Sequence, residues 1–189
     1  MNNKKLNLIL IIILTIFVGS VYARTLKGIK MDETIKIGND TLVLNGIALR
    51  KAKIFFKVYV AGLYLPAKEK DGKKVLSSDT KRTTIMHFMR KVTAKQLNDG
   101  WMDGLKANTP KASAELKKQF ETLCSYMTEV KDGDRIEFTY IPNTGTKIIV
   151  KKELKGTITG KAFANALFAV WIGDKPGPGN GFKEDLLGQ

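Results

Sequence analysis

Along the chain, the period of apolar and polar positions changes several times, and each change marks an element. Residues 24–49 read as β: Thr34-Ile35-Lys36-Ile37 alternates, Gly38-Asn39-Asp40 turns, and Thr41 to Leu44 resumes the alternation. The densest β-forming run is Leu42 to Pro66, LVLNGIALRKAKIFFKVYVAGLYLP, and the rest of the chain is organised around it. From Val58 onward apolar residues no longer alternate with polar ones. This predicts a central strand covered on both faces, ended by Pro66. Upstream, Lys53, Phe55, Lys57 and Tyr59 share one parity, and Ile54, Phe56 and Val58 share the other. The second set predicts a core face and the first the mixed wall of a cleft. Arg50 stands just before this run. In one straight strand Arg50 and Tyr59 point to opposite faces, so they converge only if the chain bends between them, for example near Lys51–Ala52.

Lys68 to Ser78 is polar, with a turn at Asp71-Gly72 and room for a short helix at Lys73–Leu76. Arg82 to Arg90 is strand-like with apolar groups on both parities, hence internal. The period then becomes helical. Thr93-Ala94-Lys95-Gln96 fits a capping box, and Ala94, Leu97, Trp101 and Leu105 recur at helical spacing. Thr109-Pro110 suggests a second helix, about 110–128, with proline in its first turn and Leu116, Phe120, Leu123 and Met127 as its buried stripe. After Asp132-Gly133-Asp134, three short runs (from Ile136, Lys147 and Leu154) predict an antiparallel meander. Lys161 to Ile172 is helical in period but apolar almost all round, which predicts burial. Gly173 caps it, and the loop Asp174–Gly181 leads to a short helix at Phe182–Leu187. Strands, helices, strands, helix is the order of an α+β fold: a large antiparallel sheet covered on one face by a layer of helices.

Certain of these residues also carry a resemblance. Gly46, Arg50, Lys57 and Gly62-Leu63-Tyr64-Leu65, followed by the helix ending Trp171-Ile172-Gly173 and by Leu186-Leu187, resemble the chalcone isomerase family over roughly Leu42 to Gly188. The resemblance implies an open sheet, a helical layer and a ligand cleft between them. The enzymes of the family add a phenolate to an enone, using an arginine, a threonine, a tyrosine, an asparagine and a late polar residue. Arg50 matches the arginine. Tyr59 falls at the threonine, Leu97 near the tyrosine, Gly104 near the asparagine and Val170 near the late polar position. Leucine and valine donate no hydrogen bond, so the resemblance implies a poor chalcone isomerase. Another branch binds fatty acids without catalysis, retaining the arginine and carrying a tyrosine on the following strand. Arg50 and Tyr59 resemble that pair. A guanidinium and a phenol hold one carboxylate by charge-assisted hydrogen bonds while apolar walls take the tail. The ligand site expected on this basis adds Lys57 and Phe55 from the same strand, Leu97 and Trp101 from the middle helix, and Val170 and Trp171 from the late helix. A diverged isomerase or intramolecular lyase acting on an enone, and an envelope adaptor, are the alternatives.

Composition narrows the remaining classes. The chain has 189 residues, one cysteine and one histidine. With one cysteine there is no internal disulfide; Cys124 sits on a helical apolar pattern and reads as a small buried hydrophobe. One histidine, His87, supports neither an ordinary metal site nor a Ser-His-Asp triad, and the glycine-rich loop 174–181 lacks the context of a phosphate loop. No metal or other cofactor is called for. Lys4 and Lys5 precede an apolar core from Leu8 to Val18, and Val21-Tyr22-Ala23 offers a cleavage site. This predicts a signal peptide, residues 1–23, ahead of a single domain, residues 24–189, exported to the periplasm or beyond. Loss of Lys4 and Lys5 from 32 basic residues leaves 30 against 18 acidic ones, a charge of +12. In an exported protein such a charge favours anionic ligands or envelope membrane surfaces over nucleic acid.

Overall fold

The computed structural model describes residues 23–53 and 55–189. The expected leader, residues 1–23, lies outside the described residues except for Ala23, which opens the first strand. Strands β1 (Ala23–Leu26) and β2 (Ile29–Asp32) form a small antiparallel hairpin. Seven further strands make one antiparallel sheet in strict chain order: β3 (Thr34–Ile37), β4 (Asp40–Ala52), β5 (Phe56–Leu65), β6 (Arg82–Phe88), β7 (Arg135–Ile141), β8 (Gly145–Val150) and β9 (Glu153–Ile158). The helices are α1 (Gly72–Ser77), α2 (Ala94–Asn108), α3 (Ala114–Ser125), α4 (Lys161–Ile172) and α5 (Asn180–Leu187).

Helices and sheet enclose the larger core, where Phe88, Phe120, Phe138, Phe163, Phe168 and Trp171 are buried. On the opposite face, Val60, Tyr64, Leu42, Leu44 and Ile85 pack with Met31 of the β1–β2 hairpin. β5 is therefore covered on both sides, which is why its second half reads as continuously apolar. α4 lies inside the larger core, with nine of its residues from Phe163 to Ile172 buried. The capping box of Thr93 and Gln96 forms at the start of α2.

Two expectations about local structure need correction. The run Leu42 to Pro66 is an antiparallel hairpin, β4 and β5, rather than a strand reached by a bend. α3 starts at Ala114 rather than Pro110, because the Ser113 hydroxyl accepts from the Leu116 amide and takes over the N-cap. Pro110 lies in the turn before it.

Gly46 shows how α5 is seated. Asn45 bulges out of the β4–β5 register, and its Nδ2 donates to the carbonyls of Leu186 and Glu69 at 2.9 and 3.0 Å. A Cβ on Gly46 would run into the backbone carbonyls of Asp185 and Leu186. Gly46→Ala should thus destabilise by about 3 kcal/mol, the upper end for overpacking, because backbone cannot rotate away. Gly181→Ala, where nothing lies within 4 Å of the new methyl, is the control and should be neutral or stabilising. Urea unfolding of both variants checks this, and equal stabilities would contradict it.

Candidate functional site

The hairpin decides the site. β4 and β5 pair Arg50 directly with Tyr59, and side chains opposite each other in an antiparallel pair share a face. Both therefore lie on the helix side of the sheet, at the edge of a cleft of about 980 Å³ between the sheet and α2, α4 and the loop 174–180. Such a volume lies within the range of small-ligand pockets, roughly 300–1,000 Å³.

One step beyond Arg50 the register slips, because Val58 is an extra residue on β5: Lys51 pairs with Lys57, and Ala52 with Phe56. The slip exchanges the faces of everything between Val58 and the turn. Phe56 and Val58 line the cleft. Phe55, 83% exposed at the hairpin tip, and Lys57, exposed on the outer side, do not. The mixed face of Lys53, Phe55, Lys57 and Tyr59 is thus broken, and Phe55 and Lys57 leave the expected site. Arg50, Tyr59, Leu97, Trp101, Val170 and Trp171 all line the cleft.

Tyr59 is 8% exposed. Its hydroxyl accepts from Trp171 Nε1 at 3.2 Å, and its own proton has no acceptor among the described residues. Burial pushes its pKa up to about 12; the Trp171 hydrogen bond and the Arg50 charge pull the other way but less strongly. The phenol is accordingly a donor at neutral pH. Arg50 is half-buried and gives one hydrogen bond, from Nη1 to the Pro178 carbonyl at 3.3 Å. Among the described residues no carboxylate lies within 4.0 Å of it, although Asp103 and Asp174 also line the cleft. Trp101 is 3% exposed, stacks edge-on to Trp171 with ring centres 5.5 Å apart, and has an indole N–H without a partner. The donors around the cleft thus outnumber the acceptors they meet, a balance that favours an anion.

Leu97, Gly104 and Val170, where the resemblance places polar groups of the isomerase reaction, line the cleft without a polar side chain of their own. Gly104 and Val170 touch: a Cβ on Gly104 would lie 2.7 Å from the Val170 side chain, so α2 and α4 close on each other there. Sequence reasoning missed the loop 174–180 as a wall of the cleft, together with Phe56, Arg90 and Lys91. The two prolines and three glycines of DKPGPGNG mark a stiff turn but not the direction in which it folds.

His87 lies outside the cleft. Met86 and Phe88 line it, and the residue between them points to the other face. There His87 Nδ1 accepts from Arg135 Nε at 3.2 Å. Burial, and then the Arg135 charge, hold its pKa down to about 4. The unfolded chain takes up this proton below about pH 6.5 and the folded chain only near pH 4, so stability falls as pH drops through that window. The loss should be on the order of 1–3 kcal/mol. His87→Gln should flatten this part of the stability–pH curve; an unchanged curve would count against the assignment.

A family model described as chalcone isomerase-like matches residues 23–188. Among solved structures, a fatty-acid binding protein of Arabidopsis thaliana superimposes with a TM-score of 0.68 at 14% identity, covering 88% of this chain and 96% of that one. At that identity the likeness is one of fold. Among curated proteins, none matches the chain.

Proposed function

Because the chain belongs to the chalcone isomerase-like family, we propose that it is a non-catalytic member that binds a fatty-acid-like ligand in the cleft between sheet and helices. The observation that carries this reading is the cross-strand pair Arg50 and Tyr59 at the cleft, with no carboxylate within 4.0 Å of the guanidinium among the described residues. The ligand carboxylate takes the free donors of Arg50 and the phenol proton of Tyr59, while Leu97, Val170 and the two tryptophans receive the chain. The fatty-acid binding protein of the same fold supports the choice of ligand. Where α2 closes on α4, neither Gly104 nor Val170 carries a side-chain donor to polarise an enone.

The protein acts outside the cytoplasm on this reading, delivered by the leader read in residues 1–23. Native mass spectrometry of protein purified from its own envelope tests both parts. It should show a chain starting at Arg24 with an acyl-chain acid bound, and titration of ligand-free protein with long-chain fatty acids should saturate at one equivalent. A chain that retains Met1 overturns the export; no binding at any chain length overturns the ligand.

A further inference from the structure

The hairpin that supplies Arg50 and Tyr59 runs on past its neighbours in the sheet. β3 pairs with β4 only as far as Val43, and β6 pairs with β5 only from Tyr59 to Tyr64. Residues 51–53 and 55–57 are therefore a two-stranded ribbon without a ladder partner on either side among the described residues. At its end Phe55 is 83% exposed and Phe56 51% exposed. Phe56 also lines the cleft and lies under the Arg90 guanidinium, 5.0 Å from the ring centre.

The charge of the ribbon is one-signed. Lys51, Lys53 and Lys57 are exposed, Arg90 stands beside them, and no acidic residue occurs between Thr41 and Lys68. Lys51 and Lys57 are direct cross-strand partners, an arrangement that destabilises a ribbon by like-charge repulsion. An anionic surface removes that repulsion, and an interface between water and hydrocarbon accepts an aromatic tip flanked by lysines. A second copy of the chain would bring the same positive charges face to face.

We infer that the β4–β5 hairpin tip docks on an anionic lipid bilayer, with Phe55 inserted among the acyl chains and Lys51, Lys53 and Lys57 on the headgroups. Phe56 then stands between the bilayer and the cleft, so docking opens a short apolar route for a lipid-derived acid to reach Arg50. That last step rests on the proposed ligand; the docking itself does not.

Co-sedimentation of the purified mature protein with vesicles tests the docking. Vesicles containing phosphatidylglycerol should bind it, more weakly as salt rises, and vesicles of phosphatidylcholine alone should not. Phe55→Ser should weaken binding about tenfold or more, and each of Lys53→Gln and Lys57→Gln about fivefold. All three side chains are exposed, so thermal melting of Phe55→Ser and Lys53→Gln should match the wild type, and Lys57→Gln, which relieves the repulsion from Lys51, should melt no lower. Because Phe55 does not line the cleft, Phe55→Ser should still titrate with fatty acid in solution as the wild type does. Docking is overturned if phosphatidylglycerol vesicles are not bound, if Phe55→Ser binds them unchanged, or if lipid-free protein forms a dimer that Phe55→Ser abolishes. Vesicle binding through Phe55 by a protein that takes up no fatty acid would uphold the docking and remove the proposed ligand.

Discussion

Arg50→Ala is expected to weaken binding of a long-chain fatty acid by roughly 2–5 kcal/mol, the range for removing one member of a desolvated charge pair. Arg50 presents its guanidinium at the cleft, one hydrogen bond away from the Pro178 carbonyl and with no carboxylate within 4.0 Å among the described residues. On the proposed reading the ligand carboxylate is its counter-charge, and other cations lining the cleft, such as Lys53, Arg90 and Lys91, are exposed and replace little of the guanidinium charge when the side chain is cut back. Tyr59→Phe should cost less, on the order of 0.5–3 kcal/mol, because a neutral phenol gives the anion one hydrogen bond. It also leaves Trp171 Nε1 without its acceptor, so part of that cost belongs to the free protein. Calorimetric titration of both variants against one fatty acid separates the contributions. Equal affinity of Arg50→Ala and wild type would place the anion elsewhere, whatever the cleft holds.

The largest loss of stability is expected from Arg82→Ala, about 3–5 kcal/mol. Arg82 is fully buried, at 0% exposure, and no carboxylate lies within 4.0 Å of it among the described residues. Burial pulls its pKa down to about 10, still far enough above neutrality to keep the guanidinium charged. It is held by neutral groups. Nη1 donates to the carbonyls of Val75 and Ser78 at 3.0 and 3.2 Å, and Nη2 to Asn165 Oδ1 at 2.5 Å. The rings of Tyr140 and Phe168 lie 4.8 and 5.0 Å from its central carbon. Tyr140 in turn donates to Asp79 Oδ1 at 2.6 Å. One side chain thus ties α1 and α4 to β6 and β7. Truncation removes a large buried volume and takes a donor from three acceptors, of which only the Val75 carbonyl keeps another side-chain donor, the Ser78 hydroxyl. Arg82→Met keeps much of the volume and loses only the donors, so it should recover about half of the cost. Urea unfolding of the two variants checks this; a loss below about 1 kcal/mol for Arg82→Ala would show that α1 and α4 dock without it.

Much of the architecture was legible along the chain because it depends on local period. The buried helix from Lys161 to Ile172, the capping box at Thr93 and the meander after Asp134 each follow from a pattern read within one element. The covered strand after Val58 was legible for the same reason, since a strand apolar on both parities has only one kind of surroundings. So were Arg50 and Tyr59, though only as two residues in need of a bend.

What brings them together is pairing, and pairing is not a local property. The partner of Tyr59 is set by where the turn closes and by the bulges at Asn45 and Val58. A bulge adds one residue to one strand and reverses the facing of all that follows up to the turn, with no change in composition. This is why Phe55 and Lys57 share Tyr59's parity in the sequence yet stand outside the cleft, while Phe56 stands within it. Arg82 and Gly46 belong to the same class. A basic residue at the start of a strand and a glycine in the middle of one look ordinary until α4 and α5 lie over them. Only then does a guanidinium become a buried tie between elements, and a missing methyl the space in which a helix end is seated. The sequence by itself determined which segments are strands and helices and which of them have an apolar face. The tertiary structure decided register, and through register which side chains share a cleft, because each pairing joins residues whose mutual distance no local pattern encodes.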